Sequence, residues 1–115
     1  LVVLWLIDRK RESLELLGDF MEALPEAQVH VLRNMYLGAE NKFELFNGSK
    51  MRAGIESKGG KALNFPDVAD RVTDAMNRQR LTIAKATTEL SLGDRMELHR
   101  WRNECKEMLA EVLGE

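Results

Sequence analysis

The chain has 115 residues, 44% of them hydrophobic and 31% charged, with 17 Lys and Arg against 19 Asp and Glu. This composition predicts one globular domain or a part of one, and the length excludes a multidomain machine. The formal net charge of -2 excludes the overall basic excess of dedicated nucleic-acid or anionic-membrane binders, but it is compatible with local basic patches.

Cysteine content and hydropathy narrow the class of protein further. A single Cys excludes a disulfide framework and an all-cysteine zinc site, and it fits a cytoplasmic location. No apolar run approaches the roughly 18 to 20 residues of a membrane span. Because the first residue is Leu and opens directly into a strand-like run, we expect the chain to begin inside a domain.

The first 35 residues predict a strand, a helix and a second strand. Leu1–Ile7 is apolar without alternation, which is typical of a parallel strand buried on both faces. From Glu12, apolar residues recur at helical spacing as far as Pro25. Val29–Leu32 is a second apolar run. This order predicts a βαβ unit with parallel strands.

The middle of the chain predicts short helices and a third strand. Phe43, Leu45 and Phe46 indicate one helical turn, and a second helix covers Met51–Ser57. Gly59 and Gly60 end that helix, and Ala62–Phe65 reads as a strand that Pro66 must end.

Three helices are expected in the last third of the chain. One begins at Asp67, and Thr82 caps another from Ile83 to about Glu89. Ser91, with Asp94 three residues later, resembles a capping box at the start of the last helix. Its apolar stripe repeats at alternating three and four residues: Leu98, Trp101, Cys105, Met108 and Val112.

Most of the polar motifs favour structural roles. The segment Ser57–Lys61 has glycines beside lysines, but it runs from helix into strand, the reverse of a P-loop, and Ala62 follows the lysine. His30 and His99 lack metal-ligand spacing, and Cys105 lies on an apolar stripe. Arg95, Arg102 and Lys106 share one face of the last helix and form a candidate phosphate-contacting patch, but the interleaved acids favour a solvated helix.

The carboxyl ends of the strands are the expected ligand crevice of an open parallel sheet. Asn34 follows the second strand, and its amide offers both a donor and an acceptor to a purine edge. The alternative is that Asn34 closes a turn.

The order LVVLWLID, ESLELL, VHVLRNMYLG, ALNFPDVADRV, LTIAKA and RMELHRWRNE resembles the carboxyl-terminal half of ParA/MinD-like P-loop ATPases. The nearest group is the nucleotide-binding proteins of plasmid stability and conjugal transfer. The resemblance implies an α/β parallel-sheet fragment of about three strands with flanking helices, part of a three-layer P-loop fold. It implies that residues 1–115 are a single domain, the carboxyl-terminal half of a larger nucleotide-binding domain.

The resemblance also implies a nucleotide-binding edge without catalytic residues. Asn34 matches the asparagine that contacts the base, and Phe65, Pro66 and Asp67 match the loop around it. The Walker A lysine, the Mg²⁺-binding hydroxyl and the catalytic aspartates would lie before Leu1. The intact parent would then bind and hydrolyse ATP with Mg²⁺, while this chain alone would hold neither tightly and would not turn ATP over.

The expected partners follow from the same resemblance. The parent would serve plasmid or chromosome partitioning, stability or transfer, and would bind a partition or transfer protein and DNA. Missing central strands would leave apolar surface that favours self-association. Two alternatives remain: a non-catalytic α/β protein-interaction module, and a small nucleic-acid-binding regulator that uses Arg95, Arg102 and Lys106.

Overall fold

A computed structural model describes residues 1–114 of the chain. The chain divides into two compact units, Leu1–Phe65 and Pro66–Glu115, and each is described by itself. The first unit contains the sheet and the second is helical.

A three-stranded parallel sheet organises the first unit. β1 (Val2–Ile7) leads through α1 (Arg11–Ala23) to β2 (Gln28–Asn34), which pairs parallel to β1 with Leu4 opposite His30. β3 (Ala62–Phe65) pairs parallel to the other side of β2, which gives the strand order β1-β2-β3. The predicted βαβ unit and the α/β parallel sheet with flanking helices are confirmed.

The segment between β2 and β3 is helical, as its interrupted apolar pattern predicts. Short 3₁₀ turns at Met35–Leu37 and Glu40–Lys42 precede α2 (Glu44–Asn47) and α3 (Lys50–Ser57). The Ser49 hydroxyl accepts a hydrogen bond from the Arg52 N–H at 3.2 Å and caps α3. Gly59 has a φ of +84°, a left-handed conformation that suits glycine at a helix end.

The core of the first unit lies on one face of the sheet. Ile7, Val29 and Val31 pack there against residues of the helical segments, namely Leu17, Phe43, Phe46 and Ile55. The expectation that β1 is buried on both faces is wrong, because Val2, Leu4 and Leu6 on its other face are 57%, 44% and 50% exposed. An apolar run without alternation does not show which face is covered.

The second unit consists of three helices around a small core. α4 covers Asp70–Gln79, α5 covers Ile83–Glu89 and α6 covers Leu92–Leu113. The core residues come from the three helices and from Leu90, which directly follows α5. They are Val72, Ala75, Ala86, Leu90 and Leu98. α4 begins at Asp70, three residues after the start that the sequence predicts at Asp67.

Of the two predicted helix caps, one is confirmed and one is wrong. Thr82 caps α5 as predicted, since its hydroxyl accepts from the Lys85 N–H at 3.2 Å. The prediction of a capping box at the start of α6 is wrong. Ser91 is the N-cap residue, but its side chain makes no capping hydrogen bond. Asp94 instead pairs with Arg71, with a distance of 3.0 Å between Nε and Oδ1.

The apolar stripe of α6 faces inward as its spacing predicts. Leu98 and Met108 are buried, and Trp101, Cys105 and Val112 are half-buried. Burial and the Glu104 charge raise the pKa of the Cys105 thiol, which is unfavourable for a reactive thiolate. No helix within residues 1–114 is long and apolar enough to cross a membrane.

Candidate functional site

The carboxyl edge of the sheet brings together two of the four predicted base-binding residues. Asn34 is the last residue of β2 and Phe65 is the last residue of β3, and they are direct partners in the parallel register. Both are half-buried, so each presents part of its surface at the edge where ligands of open parallel sheets bind.

The side chain of Asn34 also closes a turn. Its Oδ1 accepts a hydrogen bond from the Tyr36 N–H at 3.1 Å and caps the 3₁₀ turn that follows β2. The alternative that Asn34 closes a turn is therefore correct for its side-chain oxygen. The side-chain NH₂ group is not used in that bond, and a donor of this kind suits a ring nitrogen or carbonyl of a purine.

Pro66 and Asp67 belong to the second unit, where their carbonyl groups contact α6. The Pro66 oxygen accepts from Trp101 Nε1 at 3.0 Å, and the Asp67 oxygen accepts from the Arg100 guanidinium at 2.9 Å. Arg100 is in turn bound to Glu97 and Glu104 at 2.6 and 2.7 Å. These two backbone oxygens are thus occupied, while the Asp67 side chain is exposed.

A separate cleft of about 490 Å³ lies at the carboxyl end of β1. The loop after β1 and the segment after β2 supply its lining residues, which are Asp8, Arg9, Lys10, Leu37, Lys42, Glu44 and Leu45. The cleft includes the predicted strand end at Asp8 but none of the four predicted base-binding residues. Three cations against two carboxylates give its lining a slight positive excess.

Two hydrogen bonds hold the wall of this cleft. The Asp8 carboxylate accepts from the Lys10 N–H at 2.7 Å at the start of α1, and Arg9 donates to the Leu37 carbonyl at 3.2 Å. The first bond is local to the loop after β1, and the second joins that loop to the turn after β2.

A buried arginine behind this edge was not expected from the sequence. Arg33 is 2% exposed, and its guanidinium donates to the side-chain oxygens of Asn64 at 2.8 Å and Asn47 at 2.9 Å. It also pairs with Glu40 at 3.2 Å, and Glu40 accepts from the Asn64 amide at the same distance. Burial lowers the pKa of Arg33, and the Glu40 charge opposes that effect. The only signal in the sequence is a charged residue at the end of an apolar strand.

The two histidines have different surroundings. His30 is 2% exposed, its Nδ1 accepts from the Lys61 N–H at 3.1 Å, and its Nε2 is buried without a partner among the described residues. Burial, with a smaller effect of Lys61, lowers the pKa of His30. His99 is exposed on α6, and residues 1–114 hold no cluster of metal-ligating side chains.

The candidate phosphate-contacting patch on α6 has less accessible positive charge than the spacing of its basic residues predicts. Arg95 is half-buried and its Nε is enclosed without a partner within the described chain, while Lys106 is exposed. Acidic side chains on the same helix pair with its basic ones, as the mixed charge pattern predicts, most clearly around Arg100. The fully accessible positive charge of this face is therefore small.

Comparison with known proteins links the chain to one named relative. The chain is 53% identical, over all 115 residues, to "Protein MobD" of Acidithiobacillus ferrooxidans. It spans about half of that protein, 51% of its length. No family model matches the chain, and no solved structure matches it.

Proposed function

We propose that this chain is part of a plasmid mobilization protein with a ParA/MinD-like P-loop fold, in which it supplies the edge that binds the nucleotide base. The observation that carries the mobilization role is its 53% identity, over all 115 residues, with a protein named MobD. Identity at this level over a whole segment supports a shared fold and a related role for that segment.

The nucleotide-binding part of the proposal is supported by the sheet edge. A parallel sheet with helices on its connections is the architecture that a P-loop fold requires, and Asn34 and Phe65 lie side by side at its carboxyl edge. A half-buried aromatic ring can stack on a base while the neighbouring amide donates to it. The proposed ligand is ATP.

Catalysis is assigned to residues outside this chain. Phosphoryl transfer needs groups that hold the phosphates and Mg²⁺, and residues 1–115 contain no GxxxxGK[ST] sequence. The nearest segment, Ser57–Lys61, joins α3 to β3 and ends a helix. The intact protein would be a cytoplasmic ATPase that binds a transfer protein and DNA.

A protein-interaction module is the second candidate, and the exposed apolar face of β1 favours it. Surfaces of this kind commonly mark contacts with other proteins. The two candidates differ in one measurable property, because only the first requires the edge at Asn34 to bind a nucleotide.

The test compares two Asn→Ala substitutions in the full-length protein that contains this chain. Asn34→Ala should weaken ATP binding by about 1 to 3 kcal/mol in calorimetry, the usual effect of leaving a hydrogen-bonding group unpaired. Asn103→Ala, at an exposed position of α6, is the matched control and should leave affinity unchanged. Equal affinities of the two variants would reject Asn34 as a base contact, and the absence of ATP binding by the unmodified protein would favour the interaction module.

A further inference from the structure

The cleft at the carboxyl end of β1 gathers cations that have no anionic partner. Arg9, Lys10 and Lys42 line it, and within residues 1–114 none of them forms an ion pair, either with the carboxylates of the cleft or with any other. Arg9 donates one N–H group to the Leu37 carbonyl at 3.2 Å, which does not neutralise its charge. Because like charges held close together repel, an anionic ligand in this cleft would be stabilised by all three side chains.

Two of these cations come together from different segments of the chain. A Cβ placed on Gly38 would lie 3.2 Å from Lys42 Cβ and 3.5 Å from Arg9 Cδ, so the two side chains approach the same glycine. Arg9 follows β1, whereas Lys42 ends the second 3₁₀ turn after β2. The fold therefore places both charges at one cleft, which their positions in the sequence do not show.

The wall that carries Lys42 is anchored from behind and has an apolar surface. Phe43 and Phe46 lie buried in the core of the first unit, and they alternate along the chain with Lys42 and Leu45, which line the cleft. Leu37 and Leu45 are 39% and 47% exposed. A wall that is already held in place binds a ligand with a smaller loss of conformational entropy, and its exposed leucines offer apolar contact.

We propose that this cleft binds a short acidic segment of a partner protein. Carboxylates of the segment pair with Lys10 and Lys42, whose ammonium groups are exposed. Aliphatic side chains of the segment cover Leu37 and Leu45. The proposal goes beyond the proposed function, because the cleft contains none of the base-binding residues and does not require ATP.

The composition of the lining favours a peptide over other anions. Asp8 and Glu44 also line the cleft, where they would repel the phosphates of a nucleic acid but can accept hydrogen bonds from the backbone N–H groups of a peptide. The volume of about 490 Å³ is in the range of pockets for drug-sized ligands and exceeds what one inorganic phosphate would fill. Only a peptide supplies carboxylates, apolar side chains and N–H donors together.

The experiment measures peptide binding by the full-length protein that contains this chain. The probes are fluorescent heptapeptides that contain two leucines and five glutamates in every possible order. At least one should bind with a Kd below about 0.1 mM, and its affinity should fall at higher salt because the cations are exposed. Two control sets, one with lysine in place of glutamate and one with serine in place of leucine, should not bind. Nucleotide is left out, so a failure of ATP binding does not affect the result.

Matched lysine substitutions assign the binding to this cleft. The double variant Lys10→Gln, Lys42→Gln should bind the best peptide roughly three- to tenfold more weakly, as expected for the loss of two exposed ion pairs. The control variant Lys50→Gln, Lys85→Gln removes the same charge at exposed positions elsewhere and should keep the affinity of the parent. Because all four side chains are exposed, the melting temperatures of both variants should match that of the parent.

A second pair of variants tests the apolar contact. Leu45→Ala should weaken binding of the same peptide, whereas Leu109→Ala, at a residue of α6 that is 40% exposed, should not. Asn34→Ala should also leave peptide binding unchanged, which separates this cleft from the proposed base-binding edge.

Four results would overturn the proposal. The first is the absence of any glutamate-leucine peptide with a Kd below about 0.1 mM. The second is an equal loss of affinity in the two double variants, which would assign binding to overall charge. The third is tighter binding of an eight-nucleotide oligothymidylate that only the Lys10→Gln, Lys42→Gln variant weakens, which would assign the cleft to nucleic acid. The fourth is displacement of the peptide by inorganic phosphate but not by chloride at the same ionic strength, which would assign it to a small anion.

Discussion

Arg33 is a buried residue that links the end of β2 to three other segments. A buried guanidinium is favourable only when its N–H groups are bonded, and here the partners come from β3, from α2 and from the turn after β2. Glu40 and Asn47 flank the residues that line the cleft at the end of β1. The arginine therefore holds the wall of that cleft against the sheet.

Replacing Arg33 tests this role. Arg33→Met keeps much of the buried volume but leaves Asn47 and Asn64 without their donor, so the free energy of unfolding should fall by about 1 to 3 kcal/mol. Urea denaturation provides the measurement. Arg52→Met is the matched control: it removes an i,i+4 ion pair with Glu56, in which the two side chains are 33% and 52% exposed, and should change stability by at most about 0.5 kcal/mol. An Arg33→Met variant as stable as the parent would show that desolvation of the arginine offsets its bonds.

His30 gives the folded chain a dependence on pH. Its Nδ1 accepts a hydrogen bond, so the neutral ring carries its proton on Nε2, and protonation would break the bond from Lys61. Burial lowers the pKa of His30 below the ordinary value of 6.5. The unfolded chain then binds the proton more readily, so this contribution to stability is complete above pH 6.5 and is lost as pH falls through the lowered pKa.

The corresponding measurement is unfolding free energy against pH from 5 to 7.5. The parent should lose stability below pH 6.5 more steeply than His30→Phe, which cannot take up a proton. His99→Phe, at an exposed position of α6, should keep the slope of the parent. Parallel curves for the parent and His30→Phe would contradict the assignment.

At the scale of elements, the sequence predicts those parts of the fold that depend on neighbouring residues. Apolar runs locate all three strands, and Thr82 locates α5 because a hydroxyl one residue before the helix satisfies a free N–H. The position of Asn34 and Phe65 at the carboxyl edge of the sheet can be predicted from where the two apolar runs end. The sequence does not predict which face of β1 is covered, because the residues of β1 are apolar on both faces.

Contacts between distant segments were not predictable in the same way. Arg33 meets Asn47 and Asn64, which are 14 and 31 residues away, and nothing local in the sequence specifies either pairing. The capping box at Ser91 failed for a related reason, because Asp94 binds Arg71 of another helix. Long-range polar partners override local motifs.

The connection from α3 to β3 depends on one glycine. A Cβ at Gly60 would overlap the Val29 carbonyl oxygen of the neighbouring strand, whereas a Cβ at Gly54 within α3 would meet nothing within 4 Å. Gly60→Ala should therefore destabilise the chain by about 3 kcal/mol, since a strand backbone must move. Gly54→Ala should stabilise it by about 0.5 to 1 kcal/mol, because alanine favours the helix. Melting curves check both, and a neutral Gly60→Ala would show that the strands can separate at this point without loss.

At the scale of the whole molecule, charge decides between the remaining interpretations of α6. Binding to DNA gains most of its strength from released counterions and weakens steeply with salt. The net charge is -2, Arg95 is partly enclosed, and Arg100 is held by two glutamates. The face formed by Arg95, Arg102 and Lys106 thus offers few free cations to a phosphate backbone.

We therefore expect the 115-residue chain to show no sub-micromolar binding to duplex DNA at physiological salt. Fluorescence anisotropy with a labelled duplex, repeated at several salt concentrations, measures this. The opposite result would be an affinity that falls with added salt and is abolished by combined alanine substitution of Arg95, Arg102 and Lys106. The control variant replaces the exposed Arg78, Arg80 and Lys85 and changes the net charge equally. Because both triple variants lose three positive charges, loss of binding in the first alone would assign the contact to α6 rather than to overall charge, and would favour the nucleic-acid regulator over the interaction module.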